Sequence, residues 1–405
     1  MHHFYIYSME ENIYNFKRQY ERMLIRIGES IEISEENKKT ILKFDKFLLS
    51  ENISIARTLS YLHYSIQYAK MLQKPFSEAN IDDIRGVIAR LNQTPLSENT
   101  KKGFKITLKR LYRFIEGITR TGVYPEKVEW IKATISNNNK KLPEELLTNE
   151  EILKIIQKCD NLRDKTLIST LAESGARISE IALMKIKHVS FEKSGAKLTI
   201  DGKTGMRKIL VVTSSIYLQD WINRHPGNNN LESYLWSNSD GKPLCHARIL
   251  AILKKAVEKA EVKKKVYPHL FRHSRATFLA SKLKDASLKY YFGWAQGSNM
   301  ASIYIHMSGE CTDDAILELN GIKPKEQETK SELEPKKCFK CNVLNEPTNI
   351  CCKACGISLN KDEADRIIKS DIQRQIMDNF MEKLILIPKI KRLLLKEAKK
   401  IRETQ

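Results

Sequence analysis

Apolar residues recur at helical spacing in ILKFDKFLL, SIARTLSYLHYSIQYAKML and TKKGFKITLKRLYRFI. The first 135 residues therefore read as a run of helices, broken near Pro75 and Pro95. A polar stretch, SNNNKKLPEE, interrupts the pattern and predicts a linker over 136–147. Beyond it, Thr148 and Glu151 have the spacing of a capping box, and Leu147 and Ile152 that of a hydrophobic staple. A second domain is expected from 148 to 322. It opens with helices over about 149–158 and 163–173, and SGA then breaks the period before RISEIALMKI. In AKLTIDGKTGMRKILVVT the period falls to two, which predicts a hairpin of LTI and KILVV around a five-residue, two-glycine turn. Helices return in HARILAILKKAVEKA and HLFRHSRATFLASKL. A charged spacer (323–337), a cysteine-rich module (338–360) and a helical tail (361–405) complete the chain. The expected class is mainly α with a small antiparallel β element, an α+β arrangement.

Charge adds a partner to this outline. The 405 residues carry 69 Lys and Arg against 49 Asp and Glu, a net +20. The surplus is spread over residues 1–147, 148–322 and 323–405, so no single basic arm carries it, and a polyanion, nucleic acid above all, is the implied partner. No apolar run approaches the roughly 20 residues of a membrane span, and MHHFYIYSMEENIY lacks a signal-peptide pattern. No membrane association and a cytoplasmic location are expected.

Two familiar motifs fail, one on spacing and one on composition. GKT at 202–204 is not a P-loop, because six residues rather than four separate Gly195 from Gly202 and a strand follows instead of a helix. His269 and His273 stand four apart, but HLFRH lacks the glutamate of a zinc-protease helix. What remains is an ordered set: Arg177 after a Ser-Gly turn, Lys203 at the hairpin tip, His269 and Arg272 on one helix face, Trp294 and Tyr304.

This set resembles the tyrosine recombinase (integrase) family. ESGARISEIALMKIKHV resembles its first box, with Arg177 and the neighbouring acid Glu180. IDGKTGMRKILVV supplies the hairpin lysine, Lys203, and YPHLFRHSRATFLA the His-x-x-Arg pair, His269 and Arg272. Gly293-Trp294 takes the Gly-His or Gly-Trp position, ten residues before the tyrosine of IYIHMSG, Tyr304. Trp294 is a departure, since most members have His there. The resemblance covers about 30–320, and its specific motifs lie within 174–306. It implies a DNA strand transferase in which Tyr304 forms a 3′-phosphotyrosine, splitting one hard step into two. Arg177 and Arg272 would clamp the phosphate with bidentate, permanently charged forks. Lys203 would protonate the departing 5′ oxygen, and His269 would take the phenol proton or polarise the phosphate. Trp294 would pack against the tyrosine. The resemblance further implies a tetramer on two duplex sites, with no nucleotide or catalytic metal. Tyr290 and Tyr291 are rival nucleophiles, but they precede Gly-Trp. Relaxation of DNA by a type IB topoisomerase and binding by a silent regulator are the alternative functions.

Three further features stand apart. Lys101, Lys102, Lys105, Lys109, Arg110 and Arg113 recur along one helix of the N-terminal domain, as a DNA-clamping stripe would. Cys338-x-x-Cys341 and Cys352-x-x-Cys355 have the spacing of a zinc ribbon, with a structural metal, and Cys351 is a competitor for Cys352. Cys159, Cys245 and Cys311 are isolated and expected to be buried. In the tail, Ile368, Ile372, Ile376, Phe380 and Leu384 form an i, i+4 stripe ahead of the basic PKIKRLLLKEAKKIR, which predicts an amphipathic helix for a partner.

Overall fold

The structure, a computed structural model, describes residues 13–134, 143–202, 204–308, 320, 332–388 and 391–392. Two compact units emerge: residues 1–142 with 245–247, and 143–244 with 248–405.

The first unit is helical: α1 (Phe16–Glu29), α2 (Glu35–Ser50), α3 (Ile55–Leu72), α4 (Ile81–Gln93), α5 (Glu98–Ile115) and the short α6 (Glu126–Glu129). Side chains set the starts. The Ser34 hydroxyl accepts the Asn37 N–H, and the Ser97 hydroxyl that of Thr100. Asn80 and Asp83 form a reciprocal capping box. Pro75 and Pro95 fall in the connections before and after α4, as the pattern predicts. The apolar faces close over a core that includes Phe44, Leu62, Tyr68, Leu108 and Tyr112.

In the second unit, α7 (Asn149–Gln157) starts on the expected Thr148–Glu151 capping box, with Leu147 and Ile152 both buried. Helix α8 (Leu162–Ser174) ends at Gly175, whose φ of 57° suits glycine. After α9 (Ile178–Ala182) come β1 (Val189–Glu192), β2 (Gly195–Gly202) and β3 (Gly205–Val211), an antiparallel sheet in that order. The hairpin is tighter than the sequence suggested. Gly202 pairs with Gly205, so two residues rather than five make the turn. Strand β1 escaped prediction because VSFE is exposed over three of its four residues and leaves no alternating signature. Helices α10 (Thr213–Asn223), α11 (His246–Lys259), α12 (Pro268–Ala280), α13 (Asp285–Phe292) and α14 (Met300–Ser308) follow. The Glu173 carboxylate caps α10, accepting from the backbone N–H groups of Val212, Thr213 and Ser214.

The cysteine module pairs β4 (Lys336–Lys337) with β5 (Leu344–Asn345) and leads into α15 (Lys361–Ile385). Two ion pairs fasten it to the preceding helices: Lys165 of α8 to Glu346 at 2.9 Å, and Lys353 to Asp220 of α10 at 3.0 Å. Helix α15 is not amphipathic as expected. Ile368 packs on the cysteine module, but Ile367, Ile372, Ile376, Met377 and Phe380 are all exposed. Neighbours such as Ile376 and Met377 point about 100° apart, so the apolar surface winds round the helix. Most of the basic stretch after Pro388 lies outside the described residues, as does most of the linker. Among the described residues no helix is long and apolar enough to cross a membrane.

Candidate active site and metal centre

The site forms where α8 stops. A Cβ on Gly175 would lie 2.7 Å from the Phe292 ring, so the turn leaves no room for a side chain. The turn delivers Arg177 to the start of α9. Its backbone N–H donates to Glu180 Oε2 at 2.9 Å and its Nη1 to Glu180 Oε1 at 2.7 Å, while the guanidinium remains half-exposed. Glu180 is buried and is gripped from the other side by Arg207 of β3, whose Nη2 donates to Oε2 at 2.8 Å. Burial alone would raise the Glu180 carboxyl. The hydrogen bond and charge of Arg207, with the backbone and side-chain hydrogen bonds of Arg177, hold it below its ordinary value.

Arg272 projects from α12 into the interior. Nη1 donates to the Gly175 carbonyl at 2.9 Å and Nη2 to that of Phe292 at 2.7 Å. Its guanidinium lies over the rings of Phe292 and Trp294, 5.0 and 5.5 Å from their centroids. Burial, then the charge of Arg177, lowers its pKa to about 10, which leaves it a cation at neutral pH. Both arginines are therefore held by the same corner: Arg272 through the Gly175 carbonyl, Arg177 as the cap two residues later.

Tyr304 of α14 is 3% exposed. Trp294 stacks on it with centroids 5.4 Å apart and planes at 2°. Its hydroxyl lies 2.7 Å from Nδ1 of His273. Burial raises the phenol above its ordinary value, and the Arg272 cation acts in the opposite sense. His269 sits one turn earlier on α12, its ring centroid 6.4 Å from that of His273, and is exposed. Desolvation, then Arg272 and Arg177, hold its pKa below 6.5. Lys203 lies outside the described residues, but the strands on either side of it are paired, and Thr204 Oγ1 donates to the Gly293 carbonyl at 3.2 Å. The hairpin tip is thus tied to the residue before Trp294. The rival tyrosines are otherwise engaged: the Tyr291 hydroxyl donates to the Glu173 carbonyl at 3.1 Å, and that of Tyr290 accepts the Lys208 N–H at 3.4 Å.

Sequence reasoning missed two members of this site. Arg207 shares the inward face of β3 with Ile209 and Val211. An arginine at that parity demands a buried acid, and this was the available signal. Its Nε also donates to the Tyr291 carbonyl at 3.0 Å, and a Cβ on Gly293 would meet its Nη1 at 2.8 Å. In the sequence His273 stands out only as half of the failed zinc motif, although i, i+4 spacing puts it on the face of His269.

In the first unit, the six basic residues of α5 are half-buried, and four are engaged internally. Lys101 pairs with Glu98 at 3.1 Å and Arg110 with Glu51. Lys109 donates to the carbonyls of Glu129 and Ile131, and Arg113 to that of Ile118. Lys102 and Lys105 carry no such contact among the described residues.

The sulfurs of Cys338, Cys341, Cys352 and Cys355 lie within 4.8 Å of one another, with 338–355 and 341–352 separations of 3.6 and 3.5 Å. A tetrahedral zinc with bonds of about 2.3 Å needs about 3.8 Å between sulfurs, so the four thiols fit one. The Lys340 N–H points at Cys338 Sγ at 3.4 Å, and the Asn345 amide lies 3.7 Å from Cys352 Sγ. Cys351 is exposed and outside the cluster. Cys159 is half-buried, whereas Cys245, expected inside, is exposed. Cys311 lies outside the described residues.

Residues 145–310 match the phage integrase family. The chain is 26% identical over 265 residues to tyrosine recombinase XerA of Pyrococcus horikoshii, covering 62% of this chain and 82% of that one. Among solved structures, the XerH site-specific recombinase on its palindromic difH substrate superposes with a TM-score of 0.54 at 20% identity, over 77% of this chain and 98% of that one. A lambda integrase tetramer on a Holliday junction gives 0.52 at 16%, over 67% and 78%. Over residues 145–310 the chain is thus similar to the phage integrase family, and more widely it resembles the tyrosine recombinases.

Proposed function

We propose that the chain is a site-specific recombinase that cleaves and rejoins duplex DNA through a phosphotyrosine at Tyr304. The observation that carries this reading is the convergence of two guanidiniums and a buried tyrosine on the corner made by Gly175, Phe292 and Trp294. Arg177 and Arg272 bind the non-bridging oxygens of the scissile phosphate and offset the charge that develops there. The Tyr304 oxygen attacks in line, and Lys203 protonates the departing 5′ oxygen. His269, neutral at pH 7, is exposed beside the arginines and donates to the phosphate. Trp294 fixes the plane of the nucleophile. The covalent ester conserves the energy of the broken bond, so the reaction draws on no nucleotide or catalytic metal. The lambda integrase neighbour is a tetramer on its junction, which supports the same assembly here on two DNA sites, in the cytoplasm.

The helical first unit serves as the DNA clamp of residues 1–135, joined through 136–147 to the catalytic domain of 148–322. Zinc bound by Cys338, Cys341, Cys352 and Cys355 holds the ribbon of 338–360 folded and takes no part in the chemistry. The test is a nicked suicide duplex built from the DNA that flanks the gene. The wild-type chain should form a denaturant-resistant adduct, and Tyr304→Phe should bind the same DNA without forming it. An adduct that persists in Tyr304→Phe overturns the assignment.

A further inference from the structure

We propose that His273, rather than His269, is the base that takes the proton of Tyr304 as the phenol attacks DNA. The inference rests on the recombinase reading above and names a group in that same site.

Both histidines project from one face of α12, but only His273 meets the nucleophile. Its Nδ1 lies 2.7 Å from the Tyr304 oxygen, at the short end of hydrogen-bond distances. The phenol is sequestered by Trp294 on its ring and by its burial, so it is un-ionised at neutral pH and its proton must go to a neighbour. An imidazole with its own proton on Nε2 presents a lone pair at Nδ1, and the phenol donates to it. His269, by contrast, is a full turn away and exposed, on the side of Arg177 and Arg272.

The step balances. The Tyr304 oxygen bonds to phosphorus while its proton passes to His273 Nδ1, giving an imidazolium. The bond from phosphorus to the 5′ oxygen breaks, and that oxygen takes a proton from Lys203. In rejoining, a 5′-hydroxyl attacks the ester and gives its proton to the now neutral Lys203 amine, while His273 returns its proton to the departing phenolate.

The test uses the full chain on the nicked suicide duplex. His273→Asn keeps a polar atom near the Nδ1 position but cannot accept a proton, and His273→Ala removes the group. Both should keep the wild-type melting temperature and DNA affinity while slowing adduct formation by about 10²–10⁴-fold. Added imidazole should restore the His273→Ala rate, and more basic imidazoles should restore it further. A 5′-bridging sulfur, which departs without a proton, should rescue Lys203→Ala and leave His273→Ala slow. A His273→Asn rate close to wild type, or rescue of His273→Ala by the bridging sulfur, overturns the inference and leaves the recombinase reading standing. Failure of the wild-type chain to form any adduct overturns both.

Discussion

Glu180 Oε2 and Arg207 Nη2 stand 2.8 Å apart with each side chain only 4% exposed, so the acid that steadies Arg177 is itself held from the hairpin. Removing one partner of such a pair strands a buried charge and costs about 3–5 kcal/mol. Arg207→Met should therefore destabilise the chain by that order in urea unfolding. It should also slow adduct formation, because Glu180 is then free to rotate away from Arg177. The double variant Glu180→Gln with Arg207→Met should lose less stability than the two single changes together.

The same pair sets an acid limit. Glu180 titrates below its ordinary value of 4.5 in the folded chain. Its contribution to stability is thus complete above about 4.5 and lost as pH falls through the lower, folded value. Unfolding free energy should drop on acidification below that point. In the double variant, which lacks the carboxylate, this part of the drop should vanish.

His269 should titrate with a midpoint below 6.5, since desolvation, Arg272 and Arg177 all disfavour its cation. Histidine NMR titration of the DNA-free protein would measure it, and Arg177→Ala should move the midpoint upward by removing one repulsive charge.

Trp294→Ala should weaken the stack on Tyr304, an interaction worth about 0.5–1.5 kcal/mol beyond the area it buries. Trp294→Phe should keep most of it. Adduct rates ranked wild type, Phe, Ala, with unchanged DNA affinity, would bear this out.

Lys102 and Lys105 should each lower the slope of log affinity against log salt by about one when changed to Ala, if both meet phosphate. Lys109→Ala should act differently, by melting the first unit at lower temperature. Its ammonium holds the Glu129 and Ile131 carbonyls and lies 4.2 Å from the Tyr124 ring centroid.

Much of this was legible in the sequence. Periodicity gave the helices of the first unit, and the Thr148 capping box and Leu147–Ile152 staple placed the start of α7. The recombinase motifs brought Arg177, Arg272, Trp294 and Tyr304 into one neighbourhood. What was not legible depended on contacts between distant segments. The roles of Arg207 and His273 exist only once β3 meets Glu180 and α14 lies against α12. The basic run on α5 looked like a free stripe because sequence shows charge but not the carbonyls and carboxylates waiting for it. The tail differs for the opposite reason: its regular i, i+4 apolar step suggests one face, but Ile367 and Met377 place apolar surface on other sides of the helix.

The enclosure of Tyr304 bears on the fate of the intermediate as well as on its formation. An ester made at that oxygen would sit under the Trp294 ring and beside His273, out of reach of bulk water. Hydrolysis would turn every exchange into a permanent nick. On the proposed mechanism, an enclosure of this kind would favour the hydroxyl that DNA positions over the far more abundant solvent.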